Sequence, residues 1–150
     1  MKHILVILFL IISTTACTDS NSVSTGLFSA KTIDWKVTND PDLKGIACHI
    51  QHVTDNLSFS DPSNMSIACR QVGQITKQDL VKANIKEAKM IFKESKSIFF
   101  KSLKVRRTFD EKNQVIIYTA FSTKETSGSI KHSISTVPLF GSAAYIEPNA

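Results

Sequence analysis

From about residue 31 onward, apolar and polar positions alternate with a period of two, which predicts strands. Thr32–Thr38 puts Ile33, Trp35 and Val37 on one face, and Asp40-Pro41-Asp42 then breaks the run. In Gly45–Val53, Ile46, Cys48 and Ile50 face one way while Ala47, His49 and Gln51 face the other. Thr54–Asn64 is polar and reads as a loop, and Ser66–Gly73 forms the next strand, with Ile67 and Cys69 on a common face. Ile98–Phe109 and Gln114–Ser122 make a hairpin around Asp110-Glu111-Lys112-Asn113. Phe99, Leu103, Val105 and Phe109 share one parity in its first arm. Its second arm is apolar on both parities, which marks a central strand.

One stretch follows a different period. Thr76–Phe92 predicts the main helix, opened by a capping box between Thr76 and Asp79. Leu80, Val81, Ala88, Ile91 and Phe92 partly fit a helical stripe that Asn84 interrupts. At the other end of the chain, Met1–Ala16 reads as a signal peptide. Lys2 and His3 give a basic start, Ile4–Ile12 is unbroken apolar chain, and Ser13–Ala16 are small. Nine apolar residues at helical rise are too few to span a bilayer. Thr14-Thr15-Ala16 suits acylation of the Cys17 thiol, the favoured reading, with plain cleavage after Ala16 as the alternative. The expected location is the periplasm, with a lipid anchor at Cys17 holding the chain to the outer membrane.

The chain has 150 residues, enough for one domain. Its net charge of +5 is mild. It fits an anionic envelope surface or an acidic ligand, and it lacks the clustered basic footprint of a nucleic-acid binder. Once Cys17 is set aside, Cys48 and Cys69 remain, and an even pair in an oxidising compartment points to a disulfide. A metal site built from Cys48, His49, His52 and Cys69 is disfavoured. On a strand, Cys48 and His49 point to opposite faces, and Cys48 and His52 lie about 13 Å apart. No Cys-x-x-Cys pair is present to support thiol–disulfide catalysis. The expected fold is therefore α+β, mostly antiparallel β: a single small disulfide-stapled domain with one minor helix. It covers residues 31–138, between a tether at 17–30 and a flexible tail at 139–150.

Catalytic and cofactor motifs are absent: there is no nucleophile elbow, Walker loop, dinucleotide fingerprint or zinc-binding helix, so no cofactor or metal is expected. A small hydrolase or transferase using His132 with Ser133 or Ser135 is the enzymatic alternative, and spacing alone does not show convergence. Arg106-Arg107, with Lys101 and Lys104, offers contacts for phosphate or lipid head groups, but a solvated strand edge is the favoured reading.

Asp61-Pro62-Ser63, followed by Ser66-Ile67-Ala68-Cys69-Arg70-Gln71-Val72-Gly73, resembles the hallmark segment of the CreA family of exported bacterial proteins. Gly45-Ile46-Ala47-Cys48-His49 is similar to that family's first cysteine strand. Phe92-Lys93-Glu94 with the hairpin to Ser122, and Ser133-Ile134-Ser135-Thr136-Val137-Pro138, are similar to its later blocks. The resemblance implies a periplasmic location and two paired cysteines, and it brings no established activity, substrate or catalytic residue. The favoured function is a non-enzymatic module that binds an envelope protein or a small acidic ligand. Its expected surface is Asp61, Ser63, Arg70 and Gln71, with Ser135 nearby, where Arg70 offers a bidentate fork to a carboxylate or phosphate. A purely structural envelope protein is the remaining alternative.

Overall fold

The computed structural model describes residues 21–26, 31–55, 65–95, 102–123 and 131–148. The predicted leader, Cys17, the loop residues Asp61 and Ser63, and Lys101 lie outside the described residues. Strands β1 (Ser22–Ser24), β2 (Lys31–Asn39), β3 (Ile46–Asp55) and β4 (Met65–Gln71) form one antiparallel meander. After helix α1 (Lys77–Lys82), strands β5 (Lys89–Ser95), β6 (Ser102–Asp110), β7 (Val115–Thr123) and β8 (His132–Pro138) form a second. Mostly antiparallel β with a minor helix is what the alternation implied, and the strands divide into two four-stranded sheets.

The two sheets share one core. Ile46, Cys48 and Ile50 from β3, Ile67 and Cys69 from β4, Leu103 and Val105 from β6, and Ile116, Tyr118 and Ala120 from β7 all belong to it. The register of β2 reverses a simple reading of its alternation. Lys36 pairs with the buried Ile50 and so shares that face of the sheet, where its half-exposed side chain meets Glu94 of β5 at 2.6 Å. Ile33, Trp35 and Val37 therefore lie on the outer face.

Cys48 and Cys69 stand directly opposite each other in register and are disulfide-bonded, as expected. Closing 21 residues of sequence separation restricts the unfolded chain by roughly 3 kcal/mol. That is a large share of the about 5–15 kcal/mol that holds such domains. The Cys69 N–H points away from β3, as it does in a non-hydrogen-bonded antiparallel pair. It donates to Ser135 Oγ at 2.7 Å, and Ile67 N–H donates to Ser133 Oγ at 3.3 Å. Two serine hydroxyls on β8 thus take donors that would otherwise lie unpaired along β4, joining one sheet to the other. Gly45 allows the chain after β4 to cross close by: a Cβ there would lie 2.6 Å from the Gln74 carbonyl oxygen.

Three expectations change. The helix spans only Lys77–Lys82, because Asn84 takes up left-handed backbone with φ of 45°, and the expected helical run ends as strand β5. The capping box is present, with Asp79 N–H donating to Thr76 Oγ1 and Thr76 N–H donating to Asp79 Oδ2. Ile91 and Phe92 then pack on the core from a strand rather than a helix. The second change concerns residues after Pro138, which are packed rather than loose: Leu139 and Ala144 are buried in the core. Third, part of the expected tether adds to the first sheet, as Val23 pairs with Ile33.

Candidate functional site

Inward-facing positions on β6 alternate with solvent-facing ones, and Arg107 falls on the inward parity between Val105 and Phe109. It is fully buried, and β6 lies between β5 and β7 rather than at an edge. The expectation of a solvated basic edge therefore fails for Arg107, while Arg106 remains exposed. Cross-strand register aligns Lys89, Arg107, Tyr118 and Ser135 in a single polar rung across the second sheet.

Asp40, just past the end of β2, completes that rung. Arg107 Nη1 donates to Asp40 Oδ1 at 2.7 Å and to Oδ2 at 2.8 Å, and the Tyr118 hydroxyl donates to Oδ2 at 2.8 Å. Backbone N–H groups of Asp42 and Leu43 fill the rest of Oδ1. Arg107 Nη2 lies 3.1 Å from Asp42 Oδ2, and Lys89 Nζ binds the same carboxylate from the surface side. Burial, and then the negative charge of Asp40, push the Tyr118 phenol far above its ordinary range, so it is held as a neutral donor. The hydrogen bond from Lys89, with Arg107 nearby, holds the Asp42 carboxyl below its usual 3.8.

This rung also fixes α1. Arg107 Nη2 donates to the carbonyl of Ala83, the helix C-cap, at 2.8 Å. No side chain within α1 is buried, so its anchors are the residues around it: Ile75, Ala83 and Ile85, all in the core. Gln114 clamps the C-terminal segment. Its Nε2 donates to the Ile146 carbonyl at 2.6 Å, and its Oε1 accepts from the Ile146 N–H at 2.7 Å.

Between these fixed walls runs a groove of about 590 Å³. Leu80 and Val81 of α1, Ile85, Phe109 of β6, Leu139 and Ile146 provide most of its wall. Lys77, Lys86 and Glu111 stand among them, and Lys86 and Glu111 form an ion pair at 2.7 Å. At its lip, Val81 and Ile146 are 78% and 59% exposed, a large apolar surface to leave in water. The size falls within the range of small-molecule sites.

The residues singled out from the sequence are distributed differently. Arg70 is exposed on the outer face of β4, while the Gln71 side chain folds back to donate to the Gly73 carbonyl at 2.9 Å. Ser135 is brought against Cys69, the neighbour of Arg70, with its hydroxyl engaged by the Cys69 N–H. Ser133 is engaged in the same way, and His132 has the opposite, exposed parity on β8. Cys48 and Cys69 bind each other, which removes both thiols from any metal set. The groove carries no sequence motif, because its walls come from a six-residue helix, a hairpin turn and the C-terminal segment. The buried rung did leave one signal in the parity that Arg107 shares with Leu103 and Val105.

The described residues thus form a two-sheet, disulfide-stapled β domain with an apolar groove beside α1. The model for the family described as CreA protein matches residues 20–142, and the chain belongs to that family. It is 36% identical over 107 residues to Protein CreA of Escherichia coli strain K12, covering 67% of this chain and 68% of the relative. The likeness to Protein CreA of Escherichia coli O157:H7 has the same extent. No solved structure matches it significantly.

The lowered folded value of Asp42 gives a pH dependence of defined sign. Its stabilisation is complete above the ordinary 3.8 and is lost as pH falls from there through the lower folded value. Asp42→Asn is therefore expected to flatten the loss of stability between pH 6 and pH 2, read from urea midpoints. Parallel curves for the two proteins would contradict the assignment.

Proposed function

We propose that this chain is an exported, non-enzymatic envelope protein that binds a small acidic ligand in the groove beside α1. The observation that carries the reading is the groove itself: a largely apolar trough with lysines at its rim and two large apolar side chains exposed at its lip. Membership of the CreA family is consistent with an envelope protein, and the basic, apolar and small segments of Met1–Ala16 support export. Cys17 is the proposed lipid anchor, and the periplasmic side of the outer membrane the proposed location. Nothing in the reading requires a reaction. Ser133 and Ser135 spend their hydroxyls on joining the sheets, which favours binding over hydrolysis.

A second contact surface is supported by the outer face of the first sheet. Ile33, Trp35 and Val37 line up there beside His49, Ala68 and Arg70, with Val37 half exposed. Such a flat strip suits an envelope protein, with Arg70 supplying a planar fork for a carboxylate. Arg70→Ala is expected to weaken that contact in crosslinking from intact envelopes, and an unchanged pattern would count against it.

The groove is tested with anilinonaphthalene sulfonate, a small acidic fluorescent probe, titrated into the exported chain recovered from the envelope fraction. We expect saturable binding that Val81→Asp weakens at least about tenfold, since that side chain lies on the exposed face of α1 and its replacement spares the core. Equal binding by parent and variant, or recovery of the unprocessed chain from cytosol alone, would contradict the proposal.

A further inference from the structure

The charges in the groove are not equivalent. Glu111 is already paired with Lys86. Lys77, in the first turn of α1, has no acidic partner among the described residues. The amide of Gln114 is spent at both ends on the backbone of Ile146. What remains for a ligand, among the described residues, is a trough of aliphatic and aromatic wall with one uncommitted cation at its edge. An extended peptide in that trough would leave its own N–H and C=O groups without partners, at a cost for each. An alkyl chain has no such groups, and it covers the exposed parts of Val81 and Ile146.

We propose, resting on the groove reading above, that the ligand is a long-chain carboxylate. Its alkyl chain lies along Leu80, Val81, Ile85, Phe109 and Ile146, and its head group meets Lys77 Nζ. The complementarity is that of one negative end to one free positive charge, and of an apolar body to an apolar wall.

Calorimetric titration of the exported chain with octanoate, decanoate and dodecanoate, each below its micelle concentration, tests this alongside the alcohols of equal length. Affinity is expected to rise by up to about fourfold for each added methylene. Each carboxylate should bind about tenfold more tightly than its alcohol, as a hydrogen bond to a charged group implies. Lys77→Gln should shrink that advantage to less than about threefold. Alcohols binding as tightly as carboxylates, or affinity that ignores chain length, would overturn this ligand class. If the sulfonate probe still bound in a Val81-dependent manner, the groove would stand and only the carboxylate assignment would fall. Loss of probe and alkanoate binding together would remove both.

Discussion

The Asp40–Arg107 pair is the interaction on which the rest of this structure depends. Both side chains are closed off from water, so neither has a solvated alternative once the domain has formed. Desolvating two charges is expensive, and mutual attraction offsets it only when the remaining hydrogen-bonding capacity is met. Asp40 meets that condition through Arg107, Tyr118 and two backbone N–H groups. The pair is therefore better understood as a device that fixes position than as a source of net stability. It ties the end of β2 to the middle of the opposite sheet. Elsewhere the Cys48–Cys69 disulfide ties β3 to β4 within the first sheet, and the serine bridges from β8 to β4 join that sheet to the second.

The consequence reaches the surface through the Arg107 contact with Ala83. A six-residue helix with no buried side chain has little intrinsic stability, since isolated helices of this length do not persist in water. Its place is set by its capping box, its flanking core residues and the guanidinium that receives its C-terminal carbonyl. Because α1 supplies one wall of the groove, the buried guanidinium that donates to the Ala83 carbonyl helps set the shape of an apolar surface. Gln114 does the corresponding work on the other wall, bonding the Ile146 backbone through both ends of its amide.

Much of the sheet structure was legible because period-two alternation is a local property. The strands around Cys48 and Cys69, the hairpin about Asp110–Asn113 and the apolar character of β7 follow from residues close together in the chain. Strand β5 was obscured because Ile91 and Phe92 also fit a helical stripe begun at Leu80, and only the left-handed backbone at Asn84 separates the two. In the tail, Gly141 and the small residues suggest looseness, whereas Leu139 and Ala144 are buried in a core built from segments distant in sequence. Local pattern makes Arg107 a surface charge, because its partner stands 67 residues away in a segment with the sequence of a turn. The groove left no local signature, since three separate segments build it.

The most direct test of this account is a double-substitution cycle on Asp40 and Arg107, measured by denaturant unfolding of the disulfide-intact protein. Asp40→Ala and Arg107→Met should each lose about 3–5 kcal/mol, because each strands a buried charge. The double variant should lose clearly less than their sum, because it leaves neither charge behind. Single variants within about 0.5 kcal/mol of the parent, with losses that simply add, would show that the pair does not organise the fold.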